Sequence, residues 1–249
     1  MSAMKAEYAV FSCKGSRQVN EDFADVAVKN GRYCFILCDG LGGHGCGDVA
    51  SRFVARHIKD YFMRCSDMER FASDALEAAH KALLEKQRSA EGSAQKMKTT
   101  AVVLTIDGNS GICAHLGDSR LYRIRGGRIL SRTRDHSVPQ MLYMTGEISE
   151  DEIRCHPDRN KLLRALGDDR ETVKVERSRF DVLPGDVFLL CSDGFWEPVT
   201  ESEMLSLLSD APGVKKWLDE MARLAFENSD GRQMDNCTAV AVRVTRQRR

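Results

Sequence analysis

The sequence lacks the features that mark membrane, exported or disulfide-bonded proteins. It has no run of 18 consecutive apolar residues, which argues against a membrane-spanning helix. The N-terminal stretch MSAMKAEYAVFSCKGSRQVNED has no secretory hydrophobic segment. The nine cysteines form no C-x-x-C pair and mostly lie in apolar runs such as YCFILC, which is typical of reduced core cysteine. We therefore expect a cytoplasmic protein.

The sequence also lacks a charge bias and internal boundaries. Lys plus Arg total 37 and Asp plus Glu total 37, so no net charge attracts nucleic acid or an anionic membrane, and we expect neither as a partner. No internal repeat or Pro-rich linker divides the chain. With 42% hydrophobic residues, 249 residues can bury a substantial core as one large domain or two small ones.

Strand patterns and helix patterns are segregated along the chain. Strands are predicted at 7–13, at 24–38 with an Asn30-Gly31 hairpin turn, at 99–133 as an antiparallel meander, at 186–193 and at 237–244. Helices are predicted at 48–62, 68–87, 201–209 and 214–228. We therefore predict one α+β domain over 1–249, with antiparallel sheets and outer helices. The polar stretch 137–165 is predicted to be a mobile flap, and the basic tail TRQRR to be frayed.

The glycine-rich stretch CDGLGGHGCG contains a literal G-x-G-x-x-G at Gly40, Gly42 and Gly45, between a predicted strand and a predicted helix. A dinucleotide fold needs an acidic residue at the end of a second parallel strand, about 20 positions further on. Asp60 has that distance but lies within a predicted helix. Asp39 precedes the first glycine, where its carboxylate would repel a pyrophosphate unless a cation lay between them. We interpret the glycine match as accidental.

Several aspartates stand where predicted strands begin or end. These are Asp22, Asp39, Asp118, Asp193 and Asp235. Converging carboxylates would repel one another, and hard divalent cations such as Mg²⁺ or Mn²⁺ relieve that repulsion because they prefer oxygen ligands. For any single Asp-Gly pair, capping a turn is the commoner role, and that alternative stays open at each position. Five such positions favour a two-metal site.

Eight motifs occur in the order found in one known family. They are SRQVNED at 16–22, DGLGGHGCGDVAS at 39–51, TT at 99–100, GDSRLY at 117–122, TRDHS at 133–137, RALG at 164–167, LLCSDGFWEPV at 189–199 and DNCT at 235–238. On these motifs the sequence resembles the metal-dependent serine/threonine protein phosphatases of the type 2C class, especially their compact bacterial members. The resemblance implies a β-sandwich of two antiparallel sheets flanked by helices on both sides, in four α-β-β-α layers, with metals at one end.

The same resemblance implies two tightly bound Mn²⁺ or Mg²⁺ ions and a third, weaker one. Asp39, Asp193, Asp235 and the Gly40 carbonyl would hold the two tight ions, Glu21 and Asp22 would act through bound waters, and Asp118 would help to hold the third ion. A hydroxide bridging the two tight ions would attack phosphorus directly, without a covalent enzyme intermediate.

Two further residues are candidates for catalysis. Arg17 resembles the family's phosphate-binding arginine, whose planar fork suits two phosphoryl oxygens, although a lone arginine is more often a solvated surface residue. His44 occupies the position used by bacterial members and is the candidate general acid for the leaving alkoxide, with a turn histidine as the alternative. Asp135 and His136 are interpreted as structural, with Asp135 capping the following turn.

These observations predict an enzyme that removes phosphate from phosphoserine and phosphothreonine in proteins, opposes a partner kinase and acts as a monomer. One alternative is a pseudophosphatase that binds phosphoproteins without turnover, which the complete set of matching acids disfavours. A second alternative is a phosphatase of small-molecule phosphates, which the motifs do not argue against.

Overall fold

The structure is a computed structural model that describes residues 4–41, 46–169, 172–229 and 233–246. Within these residues the chain forms two antiparallel sheets. The first sheet contains, in spatial order, β1 (Met4–Cys13), β11 (Cys237–Arg246), β10 (Val187–Cys191), β7 (Arg120–Arg125) and β8 (Arg128–Arg132).

The second sheet contains, in spatial order, β2 (Asp22–Lys29), β3 (Arg32–Leu41), β5 (Ala101–Asp107), β6 (Ser110–Leu116) and β9 (Glu176–Asp181), and the short β4 (Lys98–Thr99) pairs with β3. Asn30 and Gly31, which join β2 to β3, have positive φ angles of 52° and 77°. Two successive left-handed residues make the tight turn that matches strand twist, so the hairpin prediction is confirmed.

Helices cover the outer face of each sheet. The long helices are α1 (Gly47–Arg64), α2 (Met68–Arg88), α5 (Glu201–Asp210) and α6 (Val214–Asn228), and the short ones are α3 (Val138–Thr145) and α4 (Asp193–Trp196). Helices α1 and α2 share one hydrophobic cluster with the second sheet, and α5 and α6 share another with the first. The predicted four layers are therefore present. No helix in the described part of the chain is both long and apolar enough to cross a membrane.

The run YCFILC has no alternating polar residues because β3 is buried on both faces. Cys34 and Ile36 pack under the α1–α2 layer, whereas Phe35 and Leu37 face the other sheet across the sandwich interior. Burial raises the pKa of the Cys34 thiol. This confirms the interpretation of the cysteines in this run as core residues.

Two predictions were wrong in part, one for the meander and one for the C-terminal tail. The predicted meander over 99–133 is not continuous, because β6 and β7 lie in different sheets and the chain crosses between them at Gly117, where φ is +100°. Strand propensity does not reveal which sheet a strand joins. The tail prediction was wrong at Thr245 and Arg246, which lie within β11; residues 247–249 lie outside the described residues.

Strand β9 was not predicted at all. Its sequence, ERSRFD, is largely exposed and charged because it forms the edge of the second sheet. Charged side chains protect an edge strand from pairing with another chain, and they also hide the apolar alternation that identifies a strand.

The segment 137–165 contains α3 and a 3₁₀ turn at Asp151–Cys155. It is attached at both ends, since Ser137 pairs with Leu162 in an isolated bridge and the Leu163 N–H donates to the His136 carbonyl at 2.8 Å. Its mobility stays a prediction.

Candidate active site

A cavity of about 540 Å³ opens at one end of the sandwich. Seven of the residues predicted from the sequence line it: Arg17, Glu21, Asp39, Gly40, Asp118, Asp193 and Asp235. An eighth, Asp22, lies beside the cavity and is only 3% exposed. His44 lies outside the described residues, so its position relative to the cavity stays a prediction.

The antiparallel register brings the acids together. Asp22 at the start of β2 is directly opposite Asp39 near the end of β3. In the first sheet, β10 and β11 are neighbours. Asp193 follows the end of β10 and Asp235 precedes the start of β11, so these two residues meet at one end of that sheet. The Asp193 carboxylate is close enough to Asp39 for its charge to raise the pKa of Asp39.

Burial and mutual repulsion raise the pKa values of Asp22, Asp39, Asp118 and Asp193. Burial followed by the charges of Asp22 and Asp193 raises the pKa of Asp39 well above its usual range. Burial raises the pKa of Asp22 to about 7, and burial together with the charge of Asp235 raises the pKa of Asp193 to about 6. Burial and then Asp193 raise the pKa of Asp118. The four carboxylates are therefore costly to ionise together without a counter-charge.

One buried oxygen in this group has no protein partner. The Ser192 hydroxyl donates to Asp22 Oδ2 at 2.8 Å, whereas Asp22 Oδ1 is buried and has no hydrogen-bond partner in the described part of the chain. A buried carboxylate oxygen without a donor is costly, and a bound water or cation relieves that cost. The group of carboxylates with the Gly40 carbonyl is the all-oxygen set that hard divalent cations prefer.

Glycine at position 40 permits the close approach of β3 to the start of α1. A Cβ at Gly40 would lie 2.2 Å from the Gly47 carbonyl oxygen, and one at Gly47 would lie 2.6 Å from Glu21 Oε1. The Gly47 N–H also donates to Glu21 Oε1 at 3.2 Å. This close approach therefore requires glycine at both positions, and it holds the Glu21 carboxylate at the cavity.

Arg17 lies at the cavity mouth, where its Nη2 donates to Asp235 Oδ2 at 2.6 Å. Its side chain is 50% exposed. The hydrogen bond to Asp235 raises the pKa of the guanidinium further. Because an Arg carries five N–H donors, Arg17 retains donors for a second anion entering the cavity.

Asn236 is a site residue that the sequence interpretation missed. Its Oδ1 accepts from the Glu21 N–H at 2.8 Å, and its Nδ2 donates to the carbonyls of Lys14 and Val19 at 3.0 and 2.9 Å. These bonds hold the loop that carries Arg17 and Glu21 against the start of β11. The motif DNCT contained the signal, since the asparagine directly follows a predicted ligand.

Other cavity residues carry positive charge or belong to segment 137–165. They include Lys96, Lys98, Asn160, Leu162 and Arg164. Lys98 Nζ donates to Asp168 Oδ1 at 2.7 Å. These residues follow no single motif, so only the folded chain shows that they face the acids.

Asp135 does not cap the turn that follows it, contrary to the prediction. Ser137 caps α3, and Asp135 instead accepts two hydrogen bonds from Arg120, at 2.9 and 2.7 Å. Both side chains of this pair are 1% exposed, and the guanidinium lies 3.3 Å from the Trp196 ring centroid. The pair is a buried structural unit.

Asp135→Ala is expected to destabilise the fold because it leaves the Arg120 charge buried without its carboxylate. We expect the free energy of unfolding to fall by about 3–5 kcal/mol. Urea unfolding at constant pH measures this change. The matched control Asp219→Ala removes an exposed partner of Lys215 on α6 and is expected to cost at most about 0.5 kcal/mol. Equal losses of unfolding free energy in the two variants would contradict the interpretation of Asp135 and Arg120 as a buried ion pair that stabilises the fold.

Among the described residues, His115, His136 and Glu176 form a separate group whose ligand atoms lie within 4.8 Å of one another. His115 Nε2 donates to the Arg134 carbonyl at 2.8 Å, and His136 Nδ1 accepts from the Gly117 N–H at 3.1 Å. The two rings are stacked at 4.8 Å with 6° between their planes. Because imidazole lone pairs lie in the ring plane, one ion cannot face both rings in this arrangement, and we interpret the group as structural, as predicted for His136.

Comparison with known proteins places this geometry among phosphatases. The family profile described as Protein phosphatase 2C matches residues 12–236. Serine/threonine phosphatase stp of Listeria welshimeri is 34% identical over 236 residues, covering 91% of this chain and 90% of the relative.

Two solved structures have a similar fold over nearly their whole length. The crystal structure of serine/threonine phosphatase Stp1 from Staphylococcus aureus has a TM-score of 0.88 and 28% identity, covering 96% of this chain and 95% of that one. The catalytic domain of serine threonine protein phosphatase PstP, in complex with 2 manganese ions, has a TM-score of 0.81 and 28% identity, covering 97% of this chain and 99% of that one.

Proposed function

This chain belongs to the protein phosphatase 2C family and is a serine/threonine protein phosphatase, and from that premise we propose which of its residues perform the hydrolysis. The proposal depends on one observation. Asp22, Asp39, Asp118 and Asp193 converge beside one cavity, and repulsion and burial raise the pKa of each. Such a group is unfavourable for stability, and divalent cations account for its presence.

The residues that would hold the cations follow from their positions at the cavity. Asp39, Asp193, Asp235 and the Gly40 carbonyl would contact two Mn²⁺ or Mg²⁺ ions, Glu21 and Asp22 would act through bound waters, and Asp118 would help to hold a third, weaker ion. Bound there, the ions would supply positive charge for the phosphoryl oxygens and an activated water for attack on phosphorus.

The chain's own residues would orient the substrate and handle the proton. Arg17 would donate to two phosphoryl oxygens from the cavity mouth, while its bond to Asp235 keeps the guanidinium aligned. Asn236 would hold the Arg17 loop in place through its bonds to the backbone. His44 would donate a proton to the leaving alkoxide oxygen of the serine or threonine.

The segment 137–165 would form one wall around the substrate, because Asn160, Leu162 and Arg164 line the cavity. We expect this flap to move when a phosphoprotein binds and 1–249 to act as a single catalytic domain. We further propose a cytoplasmic monomer that opposes a serine/threonine kinase. The absence of net charge agrees with protein substrates rather than nucleic acid.

A side-by-side assay tests this function. Purified protein would be given matched phosphoserine, phosphothreonine and phosphotyrosine peptides, an aryl phosphate and a set of phosphorylated metabolites, with Mn²⁺ or with a chelator. We expect Mn²⁺-dependent release of phosphate from the phosphoserine and phosphothreonine peptides. Faster turnover of a metabolite would favour the small-molecule alternative, and peptide binding that survives chelation without turnover would favour the pseudophosphatase.

A further inference from the structure

A second cavity, of about 320 Å³, lies between the edge strands β8 and β9 on the side of the sandwich away from β1 and β2. Its lining is rich in arginine: Arg123, Arg132, Arg134, Arg177 and Arg179. Glu176 is the acidic residue in the same lining. We call this cavity, with its five arginines, the arginine groove. Five guanidinium groups on one small surface contrast with a chain that has no net charge.

The acids around the arginine groove do not balance its positive charge. Arg177 and Arg179 share one carboxylate, that of Glu69 at the start of α2, at 2.5 and 2.8 Å. Arg134 is exposed and has no ion pair within the ranges that the structure describes. Arg132 is paired with Glu150 at 3.0 Å, so the excess of positive charge comes from Arg134 and from the two arginines that share Glu69.

Arg123 adds an unsatisfied donor to this charge. Its side chain is 13% exposed, and its Nη2 donates to the Asp181 carbonyl at 2.6 Å. Its nearest carboxylate, Asp186, is 4.0 Å away and already binds Arg125 through both oxygens. The buried Nε of Arg123 has no hydrogen-bond partner in the described part of the chain. The guanidinium lies 4.7 Å from the ring centroid of Phe180, another lining residue, so Arg123 is held as a positive charge in the wall of the groove.

The arginine groove lies close to the active-site cavity. His115 lines the groove and Asp118 lines the active site, and three residues span at most about 11 Å. Arg164 lines the active site and its charge also lowers the pKa of His115. An extended polypeptide covers roughly 3.3 Å per residue, so three to five residues would connect the two cavities.

We propose that the arginine groove binds acidic side chains of the phosphoprotein substrate, about three to five residues from the phosphorylated serine or threonine. This inference rests on the proposed function, because it assumes that a phosphorylated residue occupies the neighbouring cavity. Charge recognition outside the reacting centre selects among phosphoproteins, and it does not act on a small phosphate ester that cannot reach the groove.

Two matched pairs of phosphothreonine peptides test the proposal. In each pair, one peptide has Glu at the third, fourth and fifth positions from the phosphothreonine, and the other has Gln at the same positions. One pair carries these residues before the phosphothreonine and the other pair carries them after it. The double variant Arg134→Glu/Arg179→Glu reverses two exposed charges of the groove. We expect the wild-type protein to prefer the Glu peptide of at least one pair by about tenfold in kcat/KM, and the double variant to lose that preference. Rising salt should reduce the wild-type preference because exposed charges are screened.

The control is a charge reversal of the same kind outside the groove, Arg56→Glu on the exposed face of α1. It should retain the preference for the Glu peptide, and both variants should hydrolyse an aryl phosphate at the wild-type rate. Equal turnover of the Glu and Gln peptides of both pairs by the wild-type protein would overturn the proposal, as would equal loss of preference in the control. If the wild-type protein hydrolyses neither the peptides nor the aryl phosphate with Mn²⁺, the proposed function fails instead.

Discussion

Asp193→Asn is expected to lower Mn²⁺-dependent phosphatase activity by on the order of a thousandfold and, at the same time, to stabilise the chelated protein. The activity falls because a neutral amide is a poor ligand for a divalent cation. The stability rises because the substitution removes a half-buried charge that is repelled by Asp39 and Asp235. The amide oxygen can still accept the bond that Asp193 Oδ1 receives from the Gly194 N–H at 2.6 Å.

The expected stabilisation at pH 8 is about 3 kcal/mol, since the pKa of Asp193 is raised from 3.8 to about 6. For a protein of this size that corresponds to an increase of roughly 6–12 °C in Tm. Thermal unfolding with a chelator and peptide turnover with Mn²⁺ measure the two effects separately. Asp60→Asn on the exposed face of α1 makes the same change of charge and should alter neither. Lost activity with a lower Tm would indicate a structural Asp193, and an unchanged Tm would contradict the repulsion inferred at this residue.

The chelated wild-type protein is expected to lose stability between about pH 4 and pH 7. The folded-state pKa of Asp22 is about 7 and that of Asp193 about 6, both above the value of 3.8 for an unfolded chain. Below pH 4 these groups are protonated in both states and contribute no pH dependence. As the pH rises to 7, the folded state binds more protons than the unfolded state, so ionisation costs it stability.

Mn²⁺ is expected to reverse this loss. It should have little effect at pH 5, where protons compete for the carboxylates, and should raise the free energy of unfolding strongly at pH 8. Urea unfolding from pH 4 to 8, with and without Mn²⁺, measures both curves. Asp193→Asn serves as the internal control, because its chelated form should lose less stability over the same range. A wild-type curve that rises steadily from pH 4 to 8 in chelator would contradict the repulsion inferred for this site.

The parts of the site that could be predicted from the sequence are those that lie next to turns. Asp22, Asp39, Asp193 and Asp235 all follow or precede apolar runs, and antiparallel pairing places such ends together at one edge. Pairing within a sheet brings Asp22 to Asp39 and Asp193 to Asp235, but the two pairs belong to different sheets, so their meeting at one cavity depends on how the sheets pack. The Asn30-Gly31 hairpin was predicted correctly because the conformation of the turn depends on these two residues alone.

The failures concern interactions between distant segments. Asp135 binds Arg120 rather than its own turn, and that choice depends on where β7 lies in the first sheet. The arginine groove was missed because β9 has no apolar alternation, and its arginines face those of another strand only after folding. Local patterns carry no information about such pairings.

Diffraction from crystals of the wild-type protein grown with Mn²⁺, recorded at a wavelength where manganese scatters anomalously, tests the metal assignment most directly. We expect two strong anomalous peaks in the cavity, within coordination distance of Asp39, Asp193 and Asp235, and loss of at least one peak in Asp193→Asn. Manganese bound only at His115, His136 and Glu176, or no peak in the cavity at saturating Mn²⁺, would contradict the proposed catalytic role of the acids.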